Sequence, residues 1–199
     1  TFQNAFCHFS HCISSPDSKR FVFLFRWLDN LKRLKTRMYS TNLDGSSLFK
    51  FELEDCSHIT WIDNATILAY CKPRNKNFNY YIFKDFDSHF HKLNSYILPD
   101  GHPQSSKCGQ YFITDTYPDK YRMQSLKLYE TNTGKETTIA SFKIPFSFRL
   151  HRRCDFHPRW NRRNSMICFD SSHSGVRSLC LIPIPWSKLA LSNPDMKFH

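Results

Sequence analysis

Four histidines stand at comparable places along the chain, each followed by a polar turn and an apolar run. They are His11, His58, His102 and His157, which lie 47, 44 and 55 residues apart. Imidazoles brought together can bind a divalent metal such as manganese, zinc or iron, and nearby carboxylates favour manganese. An ion held there would act as a Lewis acid on a bound substrate. The four histidines are therefore candidate metal ligands.

The spacing of the histidines also predicts the elements that position them. It is close to the ~40 to 50 residues of a four-stranded propeller blade. In each copy a turn separates two apolar runs, as at residues 15–18 before the FVFLF run and at 162–164 before SMICF. Asp44-Gly45 and the Asn132–Gly134 stretch are hairpin turn signals for the strands that follow. The pattern predicts antiparallel blades; a β-sandwich is the alternative.

The predicted fold class is an all-β propeller with about four blades of four antiparallel strands, forming part of a larger ring. We expect a single domain over residues 1–199, with blades at about 8–54, 55–98, 99–143 and 153–184 and a C-terminal tail at 185–199. An incomplete ring has open blade edges, which invite pairing with another chain. A protein partner or self-association is therefore expected.

Composition and charge limit the function classes. The 199 residues are 40% hydrophobic and 16% aromatic, enough for one ordered core, and the many Phe and Tyr favour strands. An excess of 28 Lys and Arg over 17 Asp and Glu gives a formal charge of +11, which favours an anionic partner. No recognition motif points to nucleic acid, and no apolar run reaches the ~18 residues of a membrane span.

The eight cysteines do not form a metal-binding pattern. No close Cys-x-x-Cys pair occurs, which argues against a zinc ribbon. Several cysteines lie within apolar runs such as MICFD and SLCLIPI, so we expect buried free thiols. Free thiols indicate a reducing compartment, and a cytoplasmic location is favoured.

Several segments resemble TolB-like, WD-type β-propeller repeat proteins. They include SPDSKRFVFLFRW, LPDGHPQSS and RCDFHPRWNRRNSMICFDSSHSG. In that superfamily a blade commonly begins with His-Pro before a Ser-Pro-Asp-Gly turn. Here Ser18 replaces the expected glycine, which predicts relaxed turn geometry or another turn type.

Among these propellers the pattern is most similar to oligogalacturonate lyase-like proteins. In that group several histidines hold a divalent metal, typically manganese, and the enzyme cleaves uronate oligosaccharides by β-elimination. The resemblance implies that the four blade-initial histidines are metal ligands and manganese the cofactor. Arg153 and Arg159 are the candidate substrate-binding residues, because a guanidinium can bind a carboxylate through two hydrogen bonds.

The same residues also have structural interpretations. In the alternative interpretation each histidine hydrogen-bonds the backbone of the next blade, since repeats copy structural residues as readily as functional ones. Asp115 and Asp170 lie thirteen residues after His102 and His157, either to orient a histidine or to make a turn or inter-blade hydrogen bond. Trp160, like Trp61, follows its histidine by three residues, which favours core packing.

The sequence therefore leaves two functions open. In the first, the propeller binds or acts on acidic polysaccharide and is a metal-dependent uronate lyase. In the second, it is a non-catalytic scaffold that binds protein or carbohydrate. No catalytic serine or cysteine motif and no phosphate-binding loop occurs, so nucleophilic and nucleotide-phosphate chemistry are not expected.

Overall fold

The fold is an all-β propeller fold, as predicted. A computed structural model of the chain describes residues 6–94, 96–184 and 186. In each of four antiparallel sheets, every strand lies beside the one that precedes it in sequence, which is the plan of a propeller blade. Within these described ranges, no helix is long and apolar enough to cross a membrane.

The first two blades span the N-terminal half. Blade 1 contains β1 (Cys7–Ser14), β2 (Arg20–Leu28), β3 (Leu34–Asn42) and β4 (Phe49–Lys50). Blade 2 contains β5 (Leu53–Trp61), β6 (Thr66–Pro73), β7 (Asn79–Lys84) and β8 (Phe90–Lys92). The predicted hairpin turn at Asp44-Gly45 lies between β3 and β4.

The last two blades span the C-terminal half. Blade 3 contains β9 (Gln104–Ser105), β10 (Tyr111–Asp115), β11 (Met123–Glu130) and β12 (Glu136–Lys143). A 3₁₀ turn at Leu150–Arg152 precedes blade 4, which contains β13 (Arg159–Trp160), β14 (Met166–Ser171) and β15 (Ser178–Pro183). Blade 4 thus has three strands among the described residues, and the predicted tail at 185–199 lies outside them except for Trp186.

Contacts within the chain divide it into two compact units, Thr1–Leu98 and Pro99–His199. Each unit contains two blades, and the single domain over 1–199 stays a prediction. Strand alternation builds the core of each unit, because every second side chain points to the same face. In the first unit, Val22 and Leu24 of β2 pack with Ile67 of β6. In the second, Ile113 and Phe169 belong to the corresponding core.

In each unit, one tryptophan joins the two blades, and the hydrogen bond is of the same kind in both units. The indole N–H of Trp61 donates to the carbonyl of Ile13 at 2.9 Å, and that of Trp160 donates to the carbonyl of Gln104 at 2.9 Å. Each tryptophan follows its blade's histidine by three residues, and each acceptor follows the previous blade's histidine by two. The structural interpretation of these tryptophans is confirmed.

The turn after the first strand keeps its left-handed residue even where glycine is missing. Ser18, Gly109 and Asn164 lie seven residues after His11, His102 and His157 and have φ of 58°, 72° and 47°. Only glycine adopts this conformation without a steric cost. The expectation of a different turn type at Ser18 is therefore wrong, because the chain keeps the same backbone with a serine.

The cysteines are all free, but they are not all buried. Cys56, Cys71 and Cys154 are buried, whereas Cys7 and Cys12 are among the exposed ones. Burial raises the pKa of the Cys71 thiol well above its ordinary value. A buried thiol of this kind is a small apolar side chain rather than a nucleophile.

A buried ion pair connects the two blades of the first unit. The side chains of Arg20, at the start of β2, and Asp85, after β7, are almost fully buried against each other. The guanidinium of Arg20 also donates to Asn42 at 2.7 Å and to the hydroxyl of Ser40 at 3.0 Å. It lies over the ring of Phe86, 3.9 Å from the ring centroid. Both charges therefore have partners that compensate their removal from water.

Replacement of Asp85 by alanine should destabilise the first unit, because it leaves the buried guanidinium of Arg20 without its counter-charge. The expected loss is about 3–5 kcal/mol in the free energy of unfolding, measured by urea denaturation. The control is Glu52→Ala, which breaks the exposed Lys50–Glu52 pair of the same unit. Exposed pairs contribute little. Equal losses in the two variants would show that the Asp85 pair does not join the blades.

Candidate functional site

Two of the predicted histidines meet in the second unit. His102 precedes β9 and His157 precedes β13, so each lies where the first strand of its blade begins. Their ring centroids are 3.9 Å apart, and the ring planes are inclined by 40°. His157 has a left-handed backbone, with φ of 42°. The repeat spacing thus correctly predicts that equivalent histidines of neighbouring blades come together in this unit.

Asp115, the last residue of β10, holds this histidine pair in place. Its Oδ1 accepts hydrogen bonds from the backbone N–H of His102 at 2.7 Å and from Nδ1 of the same residue at 2.9 Å. Its Oδ2 accepts from the backbone N–H groups of Phe156 at 2.9 Å and His157 at 3.3 Å. The side chain is only 1% exposed. Asp115 therefore orients a histidine and also joins blade 3 to blade 4.

The protonation states of this pair depend on each other. Burial raises the pKa of Asp115, but the hydrogen bond and positive charge of His102 outweigh it, so the pKa lies below its ordinary value. Burial lowers the pKa of His102, but Asp115, Asp155 and Asp100 raise it above its ordinary value. An ionised carboxylate only accepts hydrogen bonds, so Nδ1 of His102 carries a proton. Nε2 is then the nitrogen that accepts a proton or a metal when the ring is neutral.

A cleft of about 350 Å³ opens beside His157. Its walls come from the segment before β13, from the C-terminal end of β14, and from the hairpin that leads into the start of β15. The lining residues are Arg153, Cys154, Asp155, His157, Asp170, Arg177, Ser178 and Leu179. The lining combines guanidinium, carboxylate, imidazole and hydroxyl groups, so it suits a polar ligand.

Arg153 lies in the cleft but is already engaged. Its Nε and Nη2 bind both carboxylate oxygens of Asp155, at 2.7 and 2.9 Å. Its guanidinium also lies over the ring of Tyr117, 4.6 Å from the ring centroid. Burial and the charges of Asp100 and Asp155 raise the pKa of Tyr117 to about 12. Tyr117 is therefore a neutral hydrogen-bonding group at physiological pH.

Arg177 is a basic residue of the cleft that the sequence pattern did not predict. Its guanidinium donates to the backbone carbonyls of Arg152 at 3.0 Å and Arg153 at 3.2 Å. Among the residues that the structure describes, Arg177 forms no ion pair with a carboxylate. No spacing pattern marks it, because it lies in the hairpin between β14 and β15, outside the repeated first-strand motif.

The other predicted substrate-binding residue, Arg159, points to a different partner. Its Nη2 lies 3.2 Å from the carboxylate of Asp170, whose side chain is 41% exposed. The predicted equivalence of Asp170 and Asp115 therefore holds in sequence position but not in contacts. Asp115 binds the backbone of the following blade, whereas Asp170 binds an arginine of its own blade.

The first unit contains the other two predicted histidines. The ring centroids of His11 and His58 are 5.3 Å apart, with the ring planes inclined by 69°. Nδ1 of each lies 3.0 Å from the hydroxyl oxygen of the preceding serine, Ser10 or Ser57. The histidines thus form two pairs, one in each unit. In the described part of the chain, no group of three or more His, Cys, Asp or Glu is placed to hold a metal ion. The four-histidine metal site stays a prediction.

A sequence signal distinguishes the two pairs. In the second unit, aspartate precedes each histidine by two residues, as Asp100 before His102 and Asp155 before His157. In the first unit, serine comes directly before each histidine instead. Two of the carboxylates that raise the pKa of His102, Asp100 and Asp155, could therefore have been found from this short repeat.

Several solved structures are similar to this chain in fold, and three of them illustrate the likeness. TolB from Acinetobacter baumannii matches with a TM-score of 0.60 and 12% identity, over 89% of this chain and 41% of that chain. An acylaminoacyl peptidase from Pyrococcus horikoshii matches with a TM-score of 0.60 and 10% identity, over 89% of this chain and 31% of that chain. An oligogalacturonate lyase in complex with manganese matches with a TM-score of 0.53 and 11% identity, over 92% of this chain and 66% of that chain.

These likenesses show the fold and leave the activity open. The chain spans less than half of the length of TolB and of the peptidase. No protein-family model matches the sequence, and no curated protein does. Proteins of this fold carry different activities, so function must be argued from the site. The chain has a β-propeller fold that is similar to the fold of TolB.

The His102–Asp115 pair should make stability depend on pH. The pKa of His102 is higher in the folded protein than its unfolded value of 6.5, so its pairing stabilises the fold fully at pH values below 6.5. This contribution is lost as the pH rises through the folded pKa. The pKa of Asp115 is lower in the folded protein than its unfolded value of 3.8, so its carboxylate stabilises the fold fully at pH values above 3.8. This contribution is lost as the pH falls through the folded pKa. The free energy of unfolding that His102→Gln removes should therefore be largest between these values and should shrink above pH 6.5.

Chemical denaturation of both proteins at a series of pH values measures this difference. His89→Gln is the control, because His89 pairs with Asp87 on the surface. A loss in His102→Gln that does not change between pH 5 and pH 8 would contradict the pairing.

Proposed function

We propose that this propeller binds acidic oligosaccharide, and that the cleft in blade 4 takes a uronate residue. The observation that carries the proposal is the guanidinium of Arg177, which lines the cleft and has no carboxylate partner among the described residues. A guanidinium with free donors matches the two oxygens of a carboxylate. The formal charge of +11 would attract a polyanion over a longer range.

The other groups of the cleft suit the hydroxyls of a sugar. The carboxylate of Asp170 accepts hydrogen bonds, and the hydroxyl of Ser178 both donates and accepts. Leu179 adds an apolar contact surface. His157 lies in the same lining and can donate or accept according to its protonation. This mixture favours a ligand that carries a carboxylate and several hydroxyls.

Arg177→Gln should weaken binding of oligogalacturonate about tenfold or more, because the uronate carboxylate loses a charge-assisted hydrogen bond. Isothermal titration calorimetry with oligomers of defined length measures the affinity. The control is Arg74→Gln, which removes the same charge from an exposed loop of blade 2. This control variant should lower the affinity only slightly, because it reduces the long-range attraction of the anionic ligand.

Two results would contradict the proposal. One is equal affinity in Arg177→Gln and Arg74→Gln. The other is the absence of binding to any of a panel of uronates, which would favour the non-catalytic scaffold that binds a protein.

A second candidate function is β-elimination of the bound uronate, and the His102–Asp115 pair favours it. The ring centroid of His102 lies 3.9 Å from that of the cleft residue His157, and Nε2 of a neutral His102 would remove the proton on the carbon next to the uronate carboxylate. The electron pair of that C–H bond would form a carbon–carbon double bond as the glycosidic oxygen leaves and takes a proton from water. Arg177 would stabilise the negative charge that develops on the carboxylate.

The manganese that the resemblance implies would supply a Lewis acid for the same carboxylate. The proposed ligands His11, His58, His102 and His157 fall into two pairs. The described residues around them provide no group of three metal-binding side chains. The elimination step is therefore written with His102 and Arg177 alone.

The lyase candidate makes a separate prediction. The wild-type chain should release unsaturated uronate, detected by its ultraviolet absorbance, and His102→Gln should lower the rate by about 10² or more. The reaction is run after chelation and again with added manganese, alongside metal analysis of the purified chain. Product in the wild type and its loss in His102→Gln support the lyase. Binding without product under both metal conditions would make the protein a carbohydrate-binding module.

A further inference from the structure

A second cavity opens in the second unit, at the end of blade 4 that is away from the cleft. Its volume is about 410 Å³, and its lining residues are Ser105, Lys107, Trp160, Asn161, Arg162 and Asn164. All of them belong to the second unit and lie at the ends of β9 and β13 or in the turns that follow these strands. We call it the turn cavity. It is separated from the cleft by the length of β14, which is about 20 Å for six extended residues.

The ring of Trp160 is a fixed surface of the turn cavity. Its indole N–H donates to the carbonyl of Gln104 at 2.9 Å, and its backbone N–H donates to Oε1 of the same residue at 2.6 Å. The ring plane is inclined by only 7° to that of Trp186, with the ring centroids 6.1 Å apart. Trp160 is half-buried. An aromatic ring held in this way offers an apolar contact surface and loses little side-chain freedom when a ligand binds.

Two cationic side chains line the turn cavity from different blades. Lys107 lies in the turn after β9 of blade 3, and Arg162 lies in the turn after β13 of blade 4. Within the part of the chain that the structure describes, neither side chain forms an ion pair, and the lining contains no carboxylate. Arg163 adds a further positive charge beside Arg162. The turn cavity therefore suits an anionic ligand.

The equivalent turns of the first unit carry carboxylates instead of cations. The two cations are at the fifth position after their blade's histidine, where the first unit has Pro16 and Asp63, and Asp17 follows Pro16. These two turns also contact each other, because the backbone N–H of Asp17 donates to Oδ1 of Asn64 at 3.0 Å. The repeat thus folds without cations at these positions, and their presence in the second unit favours a binding role.

We propose that the turn cavity binds a small phosphate monoester carried on a ring, such as a sugar phosphate or a nucleoside monophosphate. A phosphate monoester has three acceptor oxygens and a charge of about −1.5 to −2 at pH 7. Its oxygens point in different directions, so it can accept from Lys107 and Arg162 on two separate turns, whereas the two oxygens of a carboxylate lie in one plane. The volume of the cavity suits a small molecule rather than a polymer.

The ring of the ligand would pack against Trp160. Both the apolar face of a sugar ring and the flat face of a base can lie on an indole ring. The hydroxyl of Ser105 can donate to or accept from a hydroxyl of the ligand. No residue lines both the turn cavity and the cleft, so this binding does not depend on uronate binding.

The test is the affinity of the whole chain for glucose 6-phosphate, AMP, glucose and inorganic phosphate, measured by isothermal titration calorimetry. We expect at least one of the two esters to bind, and the tighter of them identifies the ring that packs on Trp160. Inorganic phosphate should bind about tenfold more weakly or worse, because it lacks the ring, and glucose more weakly still, because it lacks the charge. Two results would overturn the proposal: no binding of either ester, and binding of phosphate or glucose as tight as that of the better ester.

Charge-removing variants test the two cations. Lys107→Gln and Arg162→Gln should each weaken binding of the better ester about tenfold or more, because each removes a charge-assisted hydrogen bond. The matched controls are Lys120→Gln and Arg149→Gln, which remove the same charges from exposed positions of the second unit outside the lining. These controls should bind nearly like the wild type. Equal losses in all four variants would show that only net charge matters and would overturn the proposal.

The position of the ligand is measured by NMR during a titration with the better ester. The backbone N–H signals of residues 105–107 and 160–164 should shift, and those of residues 177–179 should not. Shifts confined to 177–179 would place the phosphate in the cleft and overturn the proposal. Arg162→Gln should lower the affinity for oligogalacturonate no more than Arg74→Gln does, so the failure of either binding proposal is distinguishable from the failure of the other.

Discussion

The buried carboxylate of Asp115 is the interaction on which the second unit depends. A carboxylate that leaves water loses its hydration free energy, and hydrogen bonds and opposite charge must compensate for this loss. For Asp115 the compensation comes from the backbone of His102, from the imidazole of His102 and from the first residues of blade 4. One side chain therefore fixes the ring of a candidate functional residue and the position of the neighbouring blade. The chemistry of the site and the packing of the blades cannot be changed independently here.

The first unit joins its blades by other means. Arg26 of β2 donates to the carbonyl of Ser57 at 2.7 Å, just before His58. At the start of β2, Arg20 forms a buried ion pair with Asp85, which follows β7 of the neighbouring blade. The histidines of this unit have serine hydroxyls as neighbours, whereas those of the second unit have carboxylates. The two pairs of imidazoles thus share a place in the repeat and differ in electrostatics, and this difference favours the second unit as the functional one.

Much of the fold could be predicted from the sequence, because period-2 alternation and turn residues are local signals. The runs from Phe21 and Ser165 are strands, and the tryptophans after His58 and His157 pack between blades. The left-handed turn at Ser18 could not be predicted, since the surrounding structure imposes a conformation that serine itself disfavours.

The candidate site could be predicted only where it repeats. The meeting of His102 with His157 follows from equal positions in neighbouring blades. The role of Arg177 depends on a hairpin that folds back toward the start of the blade, and no local pattern encodes that approach. Asp170 shows the opposite case, because its sequence position repeats that of Asp115 while its carboxylate is bound by Arg159 of its own blade.

The most direct test of this account is the ¹⁵N NMR titration of the His102 imidazole, with Asp115→Asn for comparison. We expect Nδ1 to carry the proton in the neutral ring and the pKa of His102 to lie above 6.5 in the wild type. In Asp115→Asn the pKa should fall, since the negative charge that raises it is gone. A neutral ring protonated at Nε2, or a pKa of His102 that is the same in both proteins, would contradict the central role of Asp115.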